Sequence, residues 1–294
     1  MNRPPNSKSN LERAISRYAG NDAVRANELA VAFSNAIVAQ MIGAGVVKGG
    51  SSLKLRYGDK ATRVTKDLDT AWSIDLDSFL KDISARLKAG WNGFSGEVVV
   101  LKQASPKGIP FEYVMQPCAV HLSYLGTPWR VVDMEIGHNE IGDADAFDLI
   151  PVPQEIVSLA EYLCFPVLGE VHVMKLEYQV AQKLHGATER GSKRAHDLID
   201  LQLILSQETI DMAKTAAVCR ELFRYRRKQP WPTYVVKNEN WDAAYADQKG
   251  NLNVLPTVDE AIAWANELIA SIDKGSGWWE LTYNPNLWYN IVTK

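Results

Sequence analysis

Cysteine is scarce in this chain and poorly placed for cross-linking: Cys118, Cys164 and Cys219 are scattered, odd in number and without Cys-x-x-Cys spacing. That pattern argues against a disulfide framework or a zinc knuckle and fits buried free thiols in a reducing compartment. Long apolar runs are also lacking. The longest, around residues 30–47, is interrupted by Ser34, Asn35 and Gln40, so no segment is expected to span a membrane. The opening MNRPPNSKSN is polar with no apolar stretch behind it, so no secretory signal and a cytoplasmic location are expected. An excess of either charge is missing too. With a formal net charge of -3 there is no global basic field, and any contact with a polyanion must come from a local patch. Neither an internal repeat nor a low-complexity segment is present, which sets aside solenoids and fibrous arrays.

What remains is an ordinary globular composition, 46% hydrophobic and 23% charged over 294 residues, enough for a large core and two domains. Residues 1–20 read as an N-terminal tail. From Asn21 to about Met41, apolar residues recur at helical spacing. Val46-Val47-Lys48 reads as a short buried strand stopped by Gly49-Gly50. Residues 51–57 read as two helical turns, and Lys66–Ser73 as a second strand. Asp75–Lys88 is helical by its pattern. Strand patterns follow at Glu97–Gln103, Phe111–Met115, Val120–Tyr124 and Trp129–Ile136. Pro151 and Pro153 mark a boundary, beyond which the pattern is mostly helical, at about 153–164, 170–186, 192–206, 208–228 and 257–273. The expected fold class is therefore α+β: an α/β core over 21–150 with a mixed sheet, then a helical bundle over 151–294.

The chemistry concentrates in VVKGGSSLKLRYGDKATRVTKDLDTAW, residues 46–72. Gly49 and Gly50 let backbone N–H groups approach an anion. A helix starting near Ser51 points its positive end at phosphate oxygens, and the Ser51 or Ser52 hydroxyl adds a donor. On a strand, residues i and i+2 share a face, so Asp67 and Asp69 converge. Paired carboxylates of that kind suit magnesium, with NTP phosphates completing its shell. Two such ions stabilise both attacking and leaving oxygens of an in-line displacement. Alone, Asp-x-Asp is usually a solvated strand edge and Gly-Gly-Ser usually a turn. Joined in this order within a strand–turn–helix–strand unit, they define a magnesium–nucleotide site.

These residues resemble the signature of the DNA-polymerase-beta-like nucleotidyltransferases, Gly-[Gly/Ser]-Ser followed by Asp-x-Asp. The fuller wording, Val-Lys-Gly-Gly-Ser-x-Leu-x-Leu-Arg-Tyr-Gly and then Arg63-x-Thr65-x-Asp67-Leu-Asp69, is similar to one branch, the AbiEii/AbiGii abortive-infection nucleotidyltransferases, the toxin halves of bacterial toxin–antitoxin systems. Thr65 stands where that branch often has Ser. The likeness continues at Lys175–Ala187 and at Arg190–Leu201, so it covers roughly 40–70 and 170–205. It implies a nucleotide site of Lys48, Gly49, Gly50, Ser51, Thr65 and Lys183, with Lys183 as the catalytic-site lysine and Asp197 as a further acid. It also implies a third carboxylate on a later strand. Asp133, mid-strand between Val132 and Met134, is the choice, and Glu135 on the same face is the fallback. Metal ligands would be Asp67, Asp69 and Asp133, the cofactor Mg2+ or Mn2+, and the substrate an NTP. A tRNA acceptor and a separately encoded antitoxin are the implied partners.

The residues themselves leave several readings open. Lys175, Gln179 and Lys183 form one polar row on a helix, and a solvent-facing stripe is the bland alternative. Asp197 could cap its helix or pair with Arg194, and Asp200 could do little more. His196-Asp197 is also the dipeptide of HD-type metal phosphohydrolases, with His172 and His185 as possible further ligands, although Gly49–Asp69 would then have no role. A catalytically inactive nucleotide- or antitoxin-binding module of the same fold is the other rival. The basic run Arg220, Arg224, Arg226, Arg227 and Lys228 is either a solvated helix end or a seat for an RNA backbone beside Trp231. The remaining tail tryptophans are expected to pack the bundle.

Overall fold

The computed structural model describes residues 3–63, 65, 67–104 and 114–275. The chain divides into two compact units. One, the sheet unit, comprises 1–60 and 65–174; the other, the helical unit, comprises 61–64 and 175–294. The expected strand at Phe111–Met115 and the tail tryptophans Trp278, Trp279 and Trp288 lie wholly or largely outside the described residues.

The sheet unit opens with helices α1 (Lys8–Tyr18) and α2 (Ala23–Ala39), followed by strand β1 (Gly45–Val47) and helix α3 (Gly49–Tyr57). Next come β2 (Leu68–Trp72), α4 (Leu76–Ala89), β3 (Phe94–Val100), β4 (Gln116–Tyr124) and β5 (Thr127–Gly137). It closes with β6 (Phe147–Ile150), α5 (Gln154–Tyr162) and β7 (Val171–Met174). All seven strands form one mixed sheet in the order β3-β4-β5-β2-β1-β7-β6. Strand β2 runs antiparallel to β1 but parallel to β5, and β1 runs parallel to β7.

Local chemistry accounts for the helix starts. Asp22 accepts hydrogen bonds from the Val24 and Arg25 amides at the head of α2, and Asp75 accepts from Ser78 N at the head of α4. The sheet alternates as one buried face requires: on β5, Val132, Met134 and Ile136 are buried, whereas Val131 and Asp133 are exposed. Phe33 of α2 closes the buried side, meeting Phe94, Trp129 and Phe165 at ring-centroid distances of 5.8, 6.4 and 6.0 Å.

Three expectations change here. The N-terminal segment is no tail: Ser7 caps α1, and Leu11, Ala14 and Ile15 are buried at helical spacing in the core shared with α2. The start is pinned further by Tyr124, whose hydroxyl donates to the Pro5 carbonyl. Pro151 and Pro153 punctuate the β6–α5 connection and do not end a domain; the division falls between Met174 and Lys175. The segment expected to be helical from residue 170 begins instead with β7, which lies beside β1 inside the sheet.

Helices α6 (Leu176–Thr188), α7 (His196–Gln207), α8 (Met212–Arg226), α9 (Trp241–Lys249) and α10 (Val258–Lys274) build the helical unit. A capping box at Thr257 and Glu260 starts α10. Trp241 and Trp264 are each 1% exposed, so these two tryptophans pack the bundle as expected.

Candidate active site

In the sheet unit the Gly-Gly turn and the Asp-x-Asp strand are joined backbone to backbone. Lys48 ends β1 and heads α3, and its amide donates to the Asp69 carbonyl at 2.8 Å. Gly49 adopts φ +62°, a conformation that L side chains rarely take. A Cβ there would also sit on the Asp69 carboxylate, so this position is glycine for two independent reasons. The first turn of α3 presents backbone N–H groups that have no intrahelical partner, and Lys48 supplies no side-chain cap. The Asp69 carboxylate lies against this helix start.

Ser51 is committed differently from the expectation. Its hydroxyl donates to the Asp67 carbonyl and accepts the Asp69 amide at 3.4 Å, and the residue is 4% exposed. It braces the segment that carries the acids. The Thr65 hydroxyl oxygen, by contrast, is buried with no hydrogen-bond partner among the described residues. A buried polar atom of that kind calls for a partner.

Register separates the two candidates for the third acid. Parallel pairing of β2 and β5 sets Leu68 opposite Met134 and Asp69 opposite Glu135. Thr70 locks this level by donating from its hydroxyl to the Glu135 carbonyl at 3.1 Å. Glu135 is half-buried, and its pKa lies above the usual carboxylate range. Burial is the main cause, the charges of Asp69 and Asp67 add to it, and Lys48 opposes. Asp133 shares this face but is exposed, so the argument that a mid-strand acid must be costly does not apply to it. Lys48 reaches over the end of β5, with its ammonium beside Gly137, where any Cβ would displace it.

The charges of Asp69 and Asp67 thus both act on Glu135, and Lys48 opposes them. Such a field is relieved by a divalent cation. Among the described residues no three His, Cys, Asp or Glu side chains form a ready-made metal cage. Magnesium does not need one, because it takes one or two carboxylates and completes its shell with water and substrate phosphate. The donor set fits that ion.

The helical unit holds the other sequence-derived candidates in a buried ladder of alternating charge. Arg63 donates to both Asp200 oxygens, at 2.9 and 3.1 Å. Lys183, 3% exposed, bonds Asp200 at 2.6 Å and lies 3.6 Å from Asp197. Arg194 completes the row with contacts of 2.6 and 3.2 Å to Asp197. Gly186 leaves the room: a Cβ there would strike both Arg194 and Asp197. Burial raises the Asp197 pKa, yet Arg194 and Lys183 outweigh it and hold the group down at about 2. Lys175, by contrast, heads α6 and takes no part in the ladder.

Asp200, ranked below Asp197 from sequence, is as central as its neighbour. Arg63, noted only as part of a motif, is its clamp. His196-Asp197 is spent on this network, with His196 Nε2 3.7 Å from an already paired Asp197. His172 belongs to β7 of the other unit.

A mixed sheet with a glycine-started helix on one strand and paired acids on the next defines a nucleotidyltransferase fold. One solved structure with this fold is MenT4, a nucleotidyltransferase toxin from Mycobacterium tuberculosis H37Rv. The match has a TM-score of 0.50 at 17% identity and covers 90% of this chain and 97% of that one. At that identity the likeness speaks for the fold. The search of the curated proteins found no match. The family model described as nucleotidyl transferase AbiEii toxin, type IV toxin–antitoxin system, matches residues 31–265, and the chain belongs to that family.

Proposed function

We propose that this chain is a cytoplasmic, divalent-metal-dependent nucleotidyltransferase that moves a nucleotide from an NTP to an RNA hydroxyl, tRNA first among candidates, as the toxin of a pair whose antitoxin is separately encoded. Family membership supports the activity class and the toxin role. The observation that carries the chemistry is the register setting Asp69 opposite Glu135, with Asp69 lying on Gly49 at the head of α3.

Asp67 and Asp69 would hold a divalent metal, which would supply positive charge to offset that of the triphosphate and the leaving pyrophosphate. Backbone amides of Gly49 and Gly50 bind phosphate oxygen, Lys48 adds positive charge beside Glu135, and Thr65 offers its unpartnered hydroxyl. Glu135 takes the place expected of Asp133. Its raised proton affinity suits it to accept the proton of the attacking hydroxyl. In the helical unit, Lys183 and Asp197 enter this reading through a ladder of three cations against two carboxylates.

Incubation of the purified protein with each α-labelled NTP and unfractionated tRNA, with magnesium, manganese or a chelator, tests this. Label on RNA in the presence of metal, lost by at least a hundredfold in Asp69→Ala, is the expected result. Undiminished transfer by that variant would refute the site. Absence of transfer with every NTP and acceptor would leave a nucleotide- or antitoxin-binding module.

A further inference from the structure

The helical unit carries a basic surface that the proposed chemistry leaves unused. Two separate segments build it: the α6–α7 connection, with Arg190 and Lys193, and the end of α8, with Arg224, Arg226, Arg227 and Lys228. Lys228 joins them by bonding Glu189 at 2.6 Å. Gln229 adds donations to the His185 carbonyl at 2.8 Å and the Thr188 hydroxyl at 2.9 Å.

The connection is held firmly. Gly191 N donates to Asn238 Oδ1 at 2.8 Å, and Trp241 Nε1 donates to the Ser192 carbonyl at 2.6 Å. Its charged side chains nevertheless face water. Arg190, Lys193, Arg224 and Arg227 are exposed, and none of the four makes an ion pair among the described residues. Aromatic planes flank the end of α8. Tyr225 is 38% and Tyr234 61% exposed, and Trp231 is half-buried with its Nε1 fixed by Asp273 at 3.1 Å.

Helix electrostatics favours cations in the last turn of α8 and so accounts for Arg224 and Arg226. It does not account for Arg227 and Lys228 beyond the helix, nor for Arg190 and Lys193 arriving from another loop. Segment 189–194 holds three cations against Glu189, and 220–228 five against Glu221, in a chain of net charge -3. Local concentration of one sign against the global balance marks a polyanion surface. Guanidinium groups beside exposed aromatic rings suit RNA, whose unpaired bases stack on such planes, better than a lipid surface, which asks for an apolar face to insert.

We infer that this surface, running from Arg190 to Arg224 and Arg227, holds the phosphodiester backbone of the acceptor RNA. The inference rests on the proposal that the acceptor is RNA. The test compares wild type, Arg190→Glu/Arg224→Glu and Asp69→Ala in binding fluorescein-labelled unfractionated tRNA by anisotropy at several salt concentrations. Phosphatidylglycerol vesicles and duplex DNA serve as alternative polyanions.

Loss of at least tenfold in tRNA affinity in the double variant, with a salt dependence shallower by about two counterions, is expected, while Asp69→Ala binds like wild type. Unchanged melting would confirm that the two exposed substitutions leave the fold intact. Wild-type tRNA affinity in the double variant overturns the inference, as does tighter binding to vesicles or duplex DNA than to tRNA. If tRNA binds through this surface but receives no label, the inference stands and the transfer reading fails. If label reaches a protein and tRNA does not bind, nucleotide transfer stands, whereas the RNA acceptor and this surface both fail.

Discussion

At the scale of single residues, two acids on one strand make opposed predictions. Glu135 and Asp133 share a face of β5, but it is Glu135 that stands opposite Asp69, and the charges of Asp69 and Asp67 act on it. Glu135→Gln keeps the shape and removes the proton acceptor, so transfer should fall by roughly a hundredfold or more, the usual span for a positioned base. Asp133→Asn changes an exposed group and should stay within a few fold of wild type. Steady-state transfer measured on both variants decides the matter, and a reversed order would return the role to Asp133. Lys183 calls for a different reading. Its ammonium is buried between Asp200 and Asp197, so Lys183→Met removes the cation both carboxylates share and leaves Asp200 to Arg63 and Asp197 to Arg194, at a cost of about 1–3 kcal/mol. Urea melts should show that loss. If Lys183→Met keeps wild-type stability yet loses transfer, its task lies at the phosphate and not in the ladder.

At the scale of elements, α6 and α8 enclose a histidine that makes the helical unit acid-sensitive. His185 is 2% exposed, packs edge-on against Phe223 at 4.9 Å, and its Nε2 has no hydrogen-bond partner among the described residues. Burial, with help from Arg226, Lys228 and Arg194, lowers its pKa to about 3. The unfolded chain takes up this proton near pH 6.5, whereas the native one refuses it until about pH 3. Unfolding therefore binds a proton within that window, and stability falls as pH falls, by about 1.4 kcal/mol per unit. His196 is shifted the same way, chiefly by burial, and adds to the slope. Between pH 7.5 and 5.5 wild type should lose about 1 kcal/mol more than His185→Leu, read from urea midpoints; equal slopes would show that His185 is not the source. Elements also explain what the sequence made legible. Gly-Gly-Ser and Asp-x-Asp are local patterns, although β2 begins at Leu68, so of the two acids Asp69 is in the strand and Asp67 lies just before it. The partner of Asp69 depends on β2 lying parallel to β5, a long-range pairing that no local pattern records, so Asp133 and Glu135 are separable only in three dimensions. Strand β7 is four apolar-rich residues running straight into α6, and its pattern merges with that of the helix. Helix α1 hides behind a polar start, although Ser7 caps it and Leu11, Ala14 and Ile15 carry its buried face.

At the scale of the whole molecule, the chain enters the helical unit twice. Residues 61–64 belong to it although the sheet unit resumes at Thr65, and the remainder follows only after Met174. The early visit is four residues long, too little to fold alone, and Arg63 is one of the four. That guanidinium is 14% exposed and grips both oxygens of Asp200, which is 1% exposed. A fragment beginning at Lys175 would contain the five described helices of the unit but lack this clamp. Asp200 would then share Lys183 with Asp197 and have no guanidinium of its own, and a buried carboxylate that loses a bidentate partner costs several kcal/mol. Such a fragment, residues 175–294, should therefore protect the amides of α6 and α7 against hydrogen exchange less well than the full chain does. Arg63→Ala in the full chain should reproduce most of that loss, because it removes the same contact and leaves the covalent connection intact. Arg63→Lys should recover only part of it, since one ammonium cannot satisfy two oxygens in the geometry of the guanidinium fork. If the fragment matches the full chain in protection, the helical unit is self-sufficient, and the Arg63–Asp200 pair must be explained by the reaction and not by folding.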